Sequence, residues 1–500
     1  MNQYGGRDDL SAGEDQGGVS LNPVLGPISL MGIGIGAIIG SGIFVLTGVV
    51  AARFSGPAVT LSLILAGLGC LCAALCYAEM ASMIPASGSA YSYTYATLGR
   101  TAAWVVGWSL CMEYLFAASS VAVGWSGYFG SMLASLGWQL PQALVSAPLD
   151  SADGLHIVRT GAVLNVPAIG ISAFLALLVA VGIRQSALAT NVIVAVKLLV
   201  IAIFVIVGAR FVVPANWHPY VPPNAGHFGN FGWSGVLRGA GVVFVAYLGF
   251  DAISTASQEA RNPRVDVPRA LLGSLAVCSV LYIAVAVVVT GLAPSYSLDV
   301  PNPIAFAVAR AGEPLAWLLP LINLGALLGL TSVTLVLLYG QSRIFYAMAG
   351  DGLLPALFGR VHPRLRTPVG GIMVSAGVCA VLAGLFPVGL LAEMDSIGTL
   401  LAFTVVCAGV LVLRRKAPNA QRKFRVPFGP LIPVAGVIMC LGLMASLSIG
   451  TWLRLIGWLV VGAAYYKYRS RGNNNAASSH ALATDLFTEL PGGMDKSQRP

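Results

Sequence analysis

The sequence has 500 residues, of which 57% are hydrophobic and only 9% are charged. Soluble domains usually carry about a quarter charged residues, so a mean hydropathy of +0.82 excludes an ordinary soluble enzyme. The net charge of +9 would suit a nucleic-acid partner in a soluble protein. Here the basic residues flank apolar stretches, which is typical of membrane topology. We therefore expect an all-α polytopic membrane protein in a lipid bilayer, with no nucleic-acid partner.

Apolar stretches recur along the chain, each near the roughly 20 residues that a helix needs to cross the hydrocarbon layer. Residues 1–25 form a polar segment without a signal-peptide pattern, and residues 469–500 form a tail with too little apolar content to fold. Basic residues concentrate in alternate loops, which places both termini on the cytoplasmic side of the plasma (inner) membrane. The pattern predicts about twelve transmembrane helices, at residues 26–50, 57–84, 102–136, 166–182, 190–209, 233–257, 268–292, 315–349, 369–387, 389–413, 430–449 and 451–468.

The first predicted helix is rich in glycine, with five glycines between residues 31 and 44. Gly32, Gly34 and Gly36 alternate with larger residues and could allow a neighbouring helix to approach closely. The segment 40–42 (Gly-Ser-Gly) lies near the middle of the span. Unwinding there would expose amide groups and a half-helix N-terminus, which suit a carboxylate. Packing alone is the alternative explanation for all of these glycines.

The sixth predicted helix carries a second interruption. Gly249 and Asp251 lie deep inside an apolar stretch, where an ionisable group is costly and indicates function. A break here would leave carbonyl groups from Val243 to Tyr247 directed at an ammonium group. Asp251 either caps the second half-helix or takes part in proton movement. Interrupted helices at corresponding positions of two halves indicate a transporter binding site.

Several motifs resemble the amino acid–polyamine–organocation superfamily. The segment 36–48 looks like its first-helix motif, and the segments 244–256, 259–263 and 267–268 look like its sixth helix and the following loop. The segments 77–79, 85–91 and 341–355 are similar to the cationic amino acid transporter branch in its bacterial form. The resemblance covers residues from about 25 to 430.

This resemblance implies the LeuT-type fold: inverted repeats of five helices at 26–209 and 210–413, two further helices at 414–468, and breaks in helices 1 and 6. It also implies an amino acid in the breaks. Its carboxylate would meet amides around Ser41, and its amine would meet carbonyls of the sixth helix, with Phe244 or Val245 as the outer gate. The predicted substrate-binding residues are Ile39, Gly40, Ser41, Gly42, Ile43, Glu113, Phe244, Val245, Ala246, Tyr247 and Gly249.

Lys197 lies in the fifth predicted helix with apolar residues on both sides. It is too central to reach the interface, so it needs a partner or has to lose its proton. The resemblance to proton-coupled relatives, in which a lysine replaces a sodium ion, favours coupling by Lys197; a static ammonium that joins two helices is the alternative. Asp251 is the second candidate for proton coupling, on the ground of its depth in the span. Glu113 could pair with Lys197, contact the substrate amine or bond the backbone.

Four other charged residues are assigned to the ends of spans. Glu79 and Arg343 are expected in structural or inner-gate contacts, and Glu393 and Asp395 at the interface.

The predicted function is import of L-amino acids by proton symport, with exchange through the same site as the alternative. A channel would be expected to show a selectivity ring or a repeat of pore-lining charge, and none is visible in the sequence. The five histidines have no metal-ligand spacing, so we expect neither an enzyme nor a cofactor or metal. Small residues near the breaks favour neutral substrates, whereas an unpaired acid near the pocket would favour lysine or arginine. A small membrane subunit is a further partner that the sequence cannot reveal.

Overall fold

The computed structural model describes residues 26–83, 89–150, 157–181, 187–251, 253, 260–365, 367–420 and 422–472. The N-terminal segment, most of the C-terminal tail, and parts of the motifs at 85–91, 244–256 and 259–263 lie outside these residues. The described chain is almost entirely helical. Its helices are α1 (Pro27–Ile38), α2 (Thr47–Val50), α3 (Val59–Met83), α4 (Ser89–Leu98), α5 (Arg100–Ser135), α6 (Val166–Val181), α7 (Ala187–Gly208), α8 (Gly232–Val243), α9 (Pro263–Leu292), α10 (Pro303–Arg310), α11 (Leu318–Gly350), α12 (Ala356–Gly359), α13 (Val369–Leu385), α14 (Val388–Lys416), α15 (Leu431–Ser446) and α16 (Ile449–Gly472).

Short elements connect these helices. Two strands, β1 (Leu149–Asp150) and β2 (Val158–Arg159), pair antiparallel in the connection between α5 and α6. Wide π-helical turns at Gly42–Leu46 and Ala51–Ser55 flank α2, and a 3₁₀ turn at Phe244–Tyr247 follows α8. Other 3₁₀ turns lie at Gly56–Ala58, Gln142–Leu144, Ala209–Phe211, Pro214–Trp217, Ser295–Ser297 and Glu313–Leu315.

Within the described residues, seven helical segments are long and apolar enough to cross a membrane. The first of them runs from Pro27 to Met83 and contains α1, α2 and α3. Three shorter apolar helices are α6, α13 and α15. The protein is therefore a polytopic helical membrane protein, as predicted, while the number of twelve spans stays a prediction.

Local sequence explains where several helices begin and end. Pro263 opens α9 in the first turn, where a missing amide costs nothing. Asp266 then accepts the Asn262 amide at 3.1 Å, which satisfies a donor outside the helix. The last turn of α14 carries Arg414, Arg415 and Lys416, which favour the negative end of the helix dipole.

Long helices form the centre of the molecule. The helix α5 packs against α11 and α14, while α1 packs against α7 and α9, and α3 against α8 and α9. Large apolar side chains at the periphery face outward, including Ile206, Val280 and Ile438. Exposed apolar side chains on long hydrophobic helices are what contact with lipid requires. The interrupted helices are thus held inside a shell of continuous ones.

Candidate functional site

The first helix is interrupted at the predicted place. The helix α1 ends at Ile38, and Ile39 has an extended backbone (φ −72°, ψ 92°) before helical geometry resumes at Ser41. The turns that follow are π-helical, so their hydrogen bonds are spaced differently from those of α1. The first amides after a break have no partner in a preceding turn, and such a helix end favours negative charge.

The second interruption is sharper. The 3₁₀ turn after α8 ends at Tyr247, Leu248 is extended (φ −63°, ψ 151°), and Gly249 has φ +111°. Glycine fits this last conformation because it has no Cβ to clash. The Val245 carbonyl accepts the Leu248 amide at 3.0 Å, so part of the unwound backbone is satisfied internally.

The two breaks lie directly against each other. A Cβ at Gly42 would lie 2.5 Å from the Cα of Ala246, and a Cβ at Gly249 would lie 2.7 Å from the carbonyl carbon of Ala37. Both distances are far below normal contact, so these glycines are required for backbone approach. Each unwound segment therefore touches the other helix through a glycine.

A cavity of about 500 Å³ opens between the breaks. That volume lies within the usual range of small-molecule sites. The two breaks contribute part of its lining, namely Gly40, Ser41, Gly42, Val245, Leu248 and Gly249. The helices α5 and α11 contribute a mostly apolar wall that includes Ala117, Val121, Val333, Val336 and Leu337. The cavity thus combines exposed backbone with an aliphatic wall.

One end of the cavity reaches α4 and the last turns of α11, where Tyr91, Ser92 and Arg343 line it. The Tyr91 hydroxyl donates a hydrogen bond to the Asp351 carboxylate. Burial, and then this hydrogen bond, raise the pKa of Tyr91, so the hydroxyl stays protonated and remains a donor. The guanidinium of Arg343 lies 4.4 Å from the centre of the Tyr339 ring.

Lys197 is completely buried behind the first break. Its Nζ donates to the carbonyl of Gly36 at 2.9 Å and to that of Ile39 at 3.1 Å. These are acceptors at the end of α1, where the helix leaves carbonyls without internal partners. No ion pair between Lys197 and Glu113 occurs in the described part of the chain. The Lys197 side chain therefore contacts the backbone of the first break, although it does not line the cavity.

Tyr282 of α9 is a contact that sequence reasoning missed. Its buried hydroxyl lies 2.7 Å from the carbonyl of Ile38 and 2.8 Å from that of Ala246, so it bridges both breaks. A tyrosine in an apolar helix gives no sequence signal for such a role. Only its position opposite the two carbonyls reveals it.

Three carboxyl side chains line the cavity beside the apolar wall: Glu113, Asp251 and Asp395. Each is at most 3% exposed. The Tyr114 hydroxyl lies 3.3 Å from Asp251, whereas Glu113 Oε2 and Asp395 Oδ1 have no hydrogen-bond partner. Because all three line the same cavity, negative charges on them would repel one another. Sequence reasoning found Glu113 and Asp251 but assigned Asp395 to the interface.

The interfacial assignment of Glu393 and Asp395 is wrong. Glu393 is 7% exposed; it accepts the hydroxyls of Ser448 and Thr451, and Arg238 pairs with it at 3.3 Å. The error arose because both residues follow the start of a predicted span, where a charge usually reaches water. Packing of α8 and α16 against α14 buries them instead.

The predicted site residues fall into two groups. Gly40, Ser41, Gly42, Glu113, Val245, Gly249 and Asp251 line the cavity. The others, Ile39, Ile43, Phe244, Ala246, Tyr247 and Lys197, lie outside its lining. The Phe244 ring is fully buried and makes an edge contact with Phe403, and the Tyr247 hydroxyl donates to the Leu63 carbonyl at 2.9 Å. Their predicted contacts with substrate stay predictions.

A cavity between two interrupted helices, inside an apolar helical shell, is the arrangement by which membrane transporters hold small solutes. Comparison with known proteins agrees. Residues 25–463 match the family model described as amino acid permease. The chain belongs to this amino acid permease family, which confirms the resemblance to the amino acid–polyamine–organocation superfamily, and it is a transporter rather than an enzyme.

Relatives of known name support this assignment. The chain is 45% identical to the methylthioribose transporter of Bacillus subtilis over 90% of this chain and 94% of that protein. It is 42% identical to the branched-chain amino acid permease BcaP of the same organism, with the same coverage. It is 38% identical to cationic amino acid transporter 4 of Mus musculus over 79% of this chain and 60% of that protein.

Proposed function

We propose that this protein imports neutral aliphatic amino acids by proton symport. The observation that carries the proposal is Lys197, whose ammonium bonds the two carbonyls at the first break. Loss of its proton leaves two N–H donors but removes the positive charge that strengthens both hydrogen bonds, so the protonation of Lys197 and the stability of the break are linked. A ligand at the same break would be sensitive to that stability. This linkage is the minimum that coupling requires.

The cavity supports a zwitterionic ligand. We expect its carboxylate at the amides of Ser41, Gly42 and Ile43, and its amine at carbonyls of the second break. Its side chain would then meet Val333, Val336 and Leu337 of α11. An aliphatic side chain fits such a wall because burial of apolar surface contributes about 25 cal/mol per Å².

A second candidate substrate is a thioether sugar, since one relative is named a methylthioribose transporter. The unpartnered oxygens of Glu113 and Asp395 favour this candidate. Such oxygens accept hydrogen bonds from the hydroxyls of a sugar, whereas an aliphatic amino acid side chain has no hydroxyl to donate. Basic amino acids are the third outcome, because the same acids could hold a second ammonium group.

The packing of the helices supports an inverted repeat. We pair α1, α3, α5, α6 and α7 with α8, α9, α11, α13 and α14. When each helix is replaced by its counterpart in the other set, an observed contact corresponds to another observed contact. The contact of α1 with α9 corresponds to that of α8 with α3, and the contact of α5 with α13 corresponds to that of α11 with α6. The contacts α5 with α14 and α1 with α7 likewise correspond to α11 with α7 and α8 with α14. The proposed repeats are residues 26–209 and 210–413, with α15 and α16 outside them.

We also propose the plasma membrane as the location, with both termini cytoplasmic. The cavity end near Tyr91 and Arg343 would then face the cytoplasm, and the structure would be an inward-facing state of an alternating-access cycle.

Proteoliposomes test the coupling. Wild-type protein is expected to accumulate leucine when the outside is more acidic, and Lys197→Met is expected to lose accumulation while it still exchanges internal for external leucine. Retained exchange serves as the folding control. Full accumulation by Lys197→Met under the same gradient would contradict the role of the lysine. Wild-type uptake that ignores the gradient and needs internal amino acid would favour an exchanger.

A further inference from the structure

The connection between α14 and α15 is strongly basic. Residues 414–425 include six arginines and lysines and no acid. Positive charge beside membrane helices usually reflects topology alone. This connection differs because several of its described residues make defined contacts with α3.

A buried carboxylate anchors the connection. Glu79, at the end of α3, is 1% exposed and receives Arg414 through two bonds, Nε to Oε1 at 3.0 Å and Nη2 to Oε2 at 2.6 Å. Arg422 adds a contact at 3.4 Å, and the Val426 amide donates to Glu79 at 2.8 Å. One carboxylate therefore positions two cations and the backbone at Val426.

The same anchor directs other cations outward. Val426 is buried, and the Phe424 carbonyl accepts the Ser82 hydroxyl at 3.3 Å. Phe424 is half-buried, whereas its two neighbours in the chain, Lys423 and Arg425, are both exposed.

An apolar strip begins where the basic connection ends. It comprises Phe428, Leu431, Val434, Ile438 and Leu441, which are all at least 40% exposed. Four of them belong to α15 and are spaced three or four residues apart, so they share one face of that helix. The surface therefore has positive charge at one end and an exposed apolar helix face at the other. A molecule with an anionic group and a hydrocarbon chain would match both parts.

We propose that this surface binds an anionic phospholipid of the bilayer. Lys423 and Arg425 would hold the phosphate-containing headgroup, and an acyl chain would lie along Leu431, Ile438 and Leu441. Basic pockets beside membrane helices bind anionic headgroups in this way. Because Glu79 joins α3 to the connection, a bound lipid would stabilise the packing of α3 against α14 and α15.

The test uses the purified full-length chain in detergent, titrated with phosphatidylglycerol or phosphatidylcholine. The readout is the apparent melting temperature, since a ligand of the native state raises it. Phosphatidylglycerol is expected to stabilise the wild type more than phosphatidylcholine does, and this preference should weaken at high salt. Lys423→Gln/Arg425→Gln is expected to bind phosphatidylglycerol about tenfold or more weakly.

The matched control is Arg360→Gln/Arg364→Gln, which removes the same charge from exposed positions in the connection between α11 and α13. It should keep the full preference for phosphatidylglycerol. The proposal would be overturned if both double variants bound phosphatidylglycerol equally weakly. It would also be overturned if phosphatidylcholine or soluble glycerol phosphate stabilised the wild type as much as phosphatidylglycerol does. If Lys423→Gln/Arg425→Gln does not fold, the salt dependence of the wild type decides: a preference that high salt leaves unchanged rules out the charged contact.

Discussion

Gly42→Ala tests whether contact between the two breaks sets ligand affinity. The new methyl carbon would lie 2.5 Å from the Ala246 Cα, where a normal carbon–carbon contact is about 3.5–4.0 Å. The two unwound segments must then separate by roughly 1 Å or more, since backbone atoms on both sides cannot rotate away. A ligand that bonds both segments would lose at least one charge-assisted hydrogen bond, worth about 1.5–3 kcal/mol. The expected result is a Kd raised about ten- to hundredfold.

The assay is ligand-induced thermal stabilisation of the purified protein, together with uptake in proteoliposomes. Gly377→Ala is the control, because its methyl group would meet nothing within 4 Å. We expect Gly42→Ala to lose stabilisation by ligand and the control to keep it. Wild-type affinity in Gly42→Ala would refute the idea that one ligand spans both breaks, and would place the ligand elsewhere in the cavity.

Three further predictions concern the contacts around the site. Tyr282→Phe removes the hydroxyl that bridges the breaks, so at least one buried carbonyl loses its donor at a cost of about 1–3 kcal/mol; uptake should fall, and a ligand-affinity measurement should show the change. Glu79→Gln leaves two arginines without their carboxylate and should lower unfolding stability by about 3–5 kcal/mol, read as a lower melting temperature; an unchanged melting temperature would contradict the anchoring role. Glu113→Gln should change the Kd for leucine by less than about threefold if the ligand is an aliphatic amino acid. If the variant instead loses most of its thermal stabilisation by methylthioribose or by lysine, that compound is the better substrate.

The sequence indicated the breaks because their cause is local. Glycine weakens a helix at any position, as at residues 40, 42 and 249. The apolar residues around these glycines indicate that the breaks lie well inside the membrane-spanning stretches. Lys197 was recognisable for the same reason, since a charge inside an apolar helix demands an explanation. These features depend on a few neighbouring residues.

Other features depend on residues far apart in the chain. Tyr282 meets Ile38 across a separation of 244 residues, and the burial of Asp395 results from packing between helices far apart in the chain. Hydrophobic periodicity cannot show which helices meet in an all-apolar protein, because every face is apolar. The partner of Lys197 is a similar case: sequence offered Glu113 as one possible partner, and the structure supplies two carbonyls.

The reciprocal contacts of Gly42 with Ala246 and of Ala37 with Gly249 constrain motion as well as binding. Neither interrupted helix can slide past the other without a backbone collision. We therefore expect the pair to move together in a transport cycle, with the hinges in the helices around it. Spin labels on α1 and α8 should keep a constant separation in all states, while distances from either helix to α5 should change.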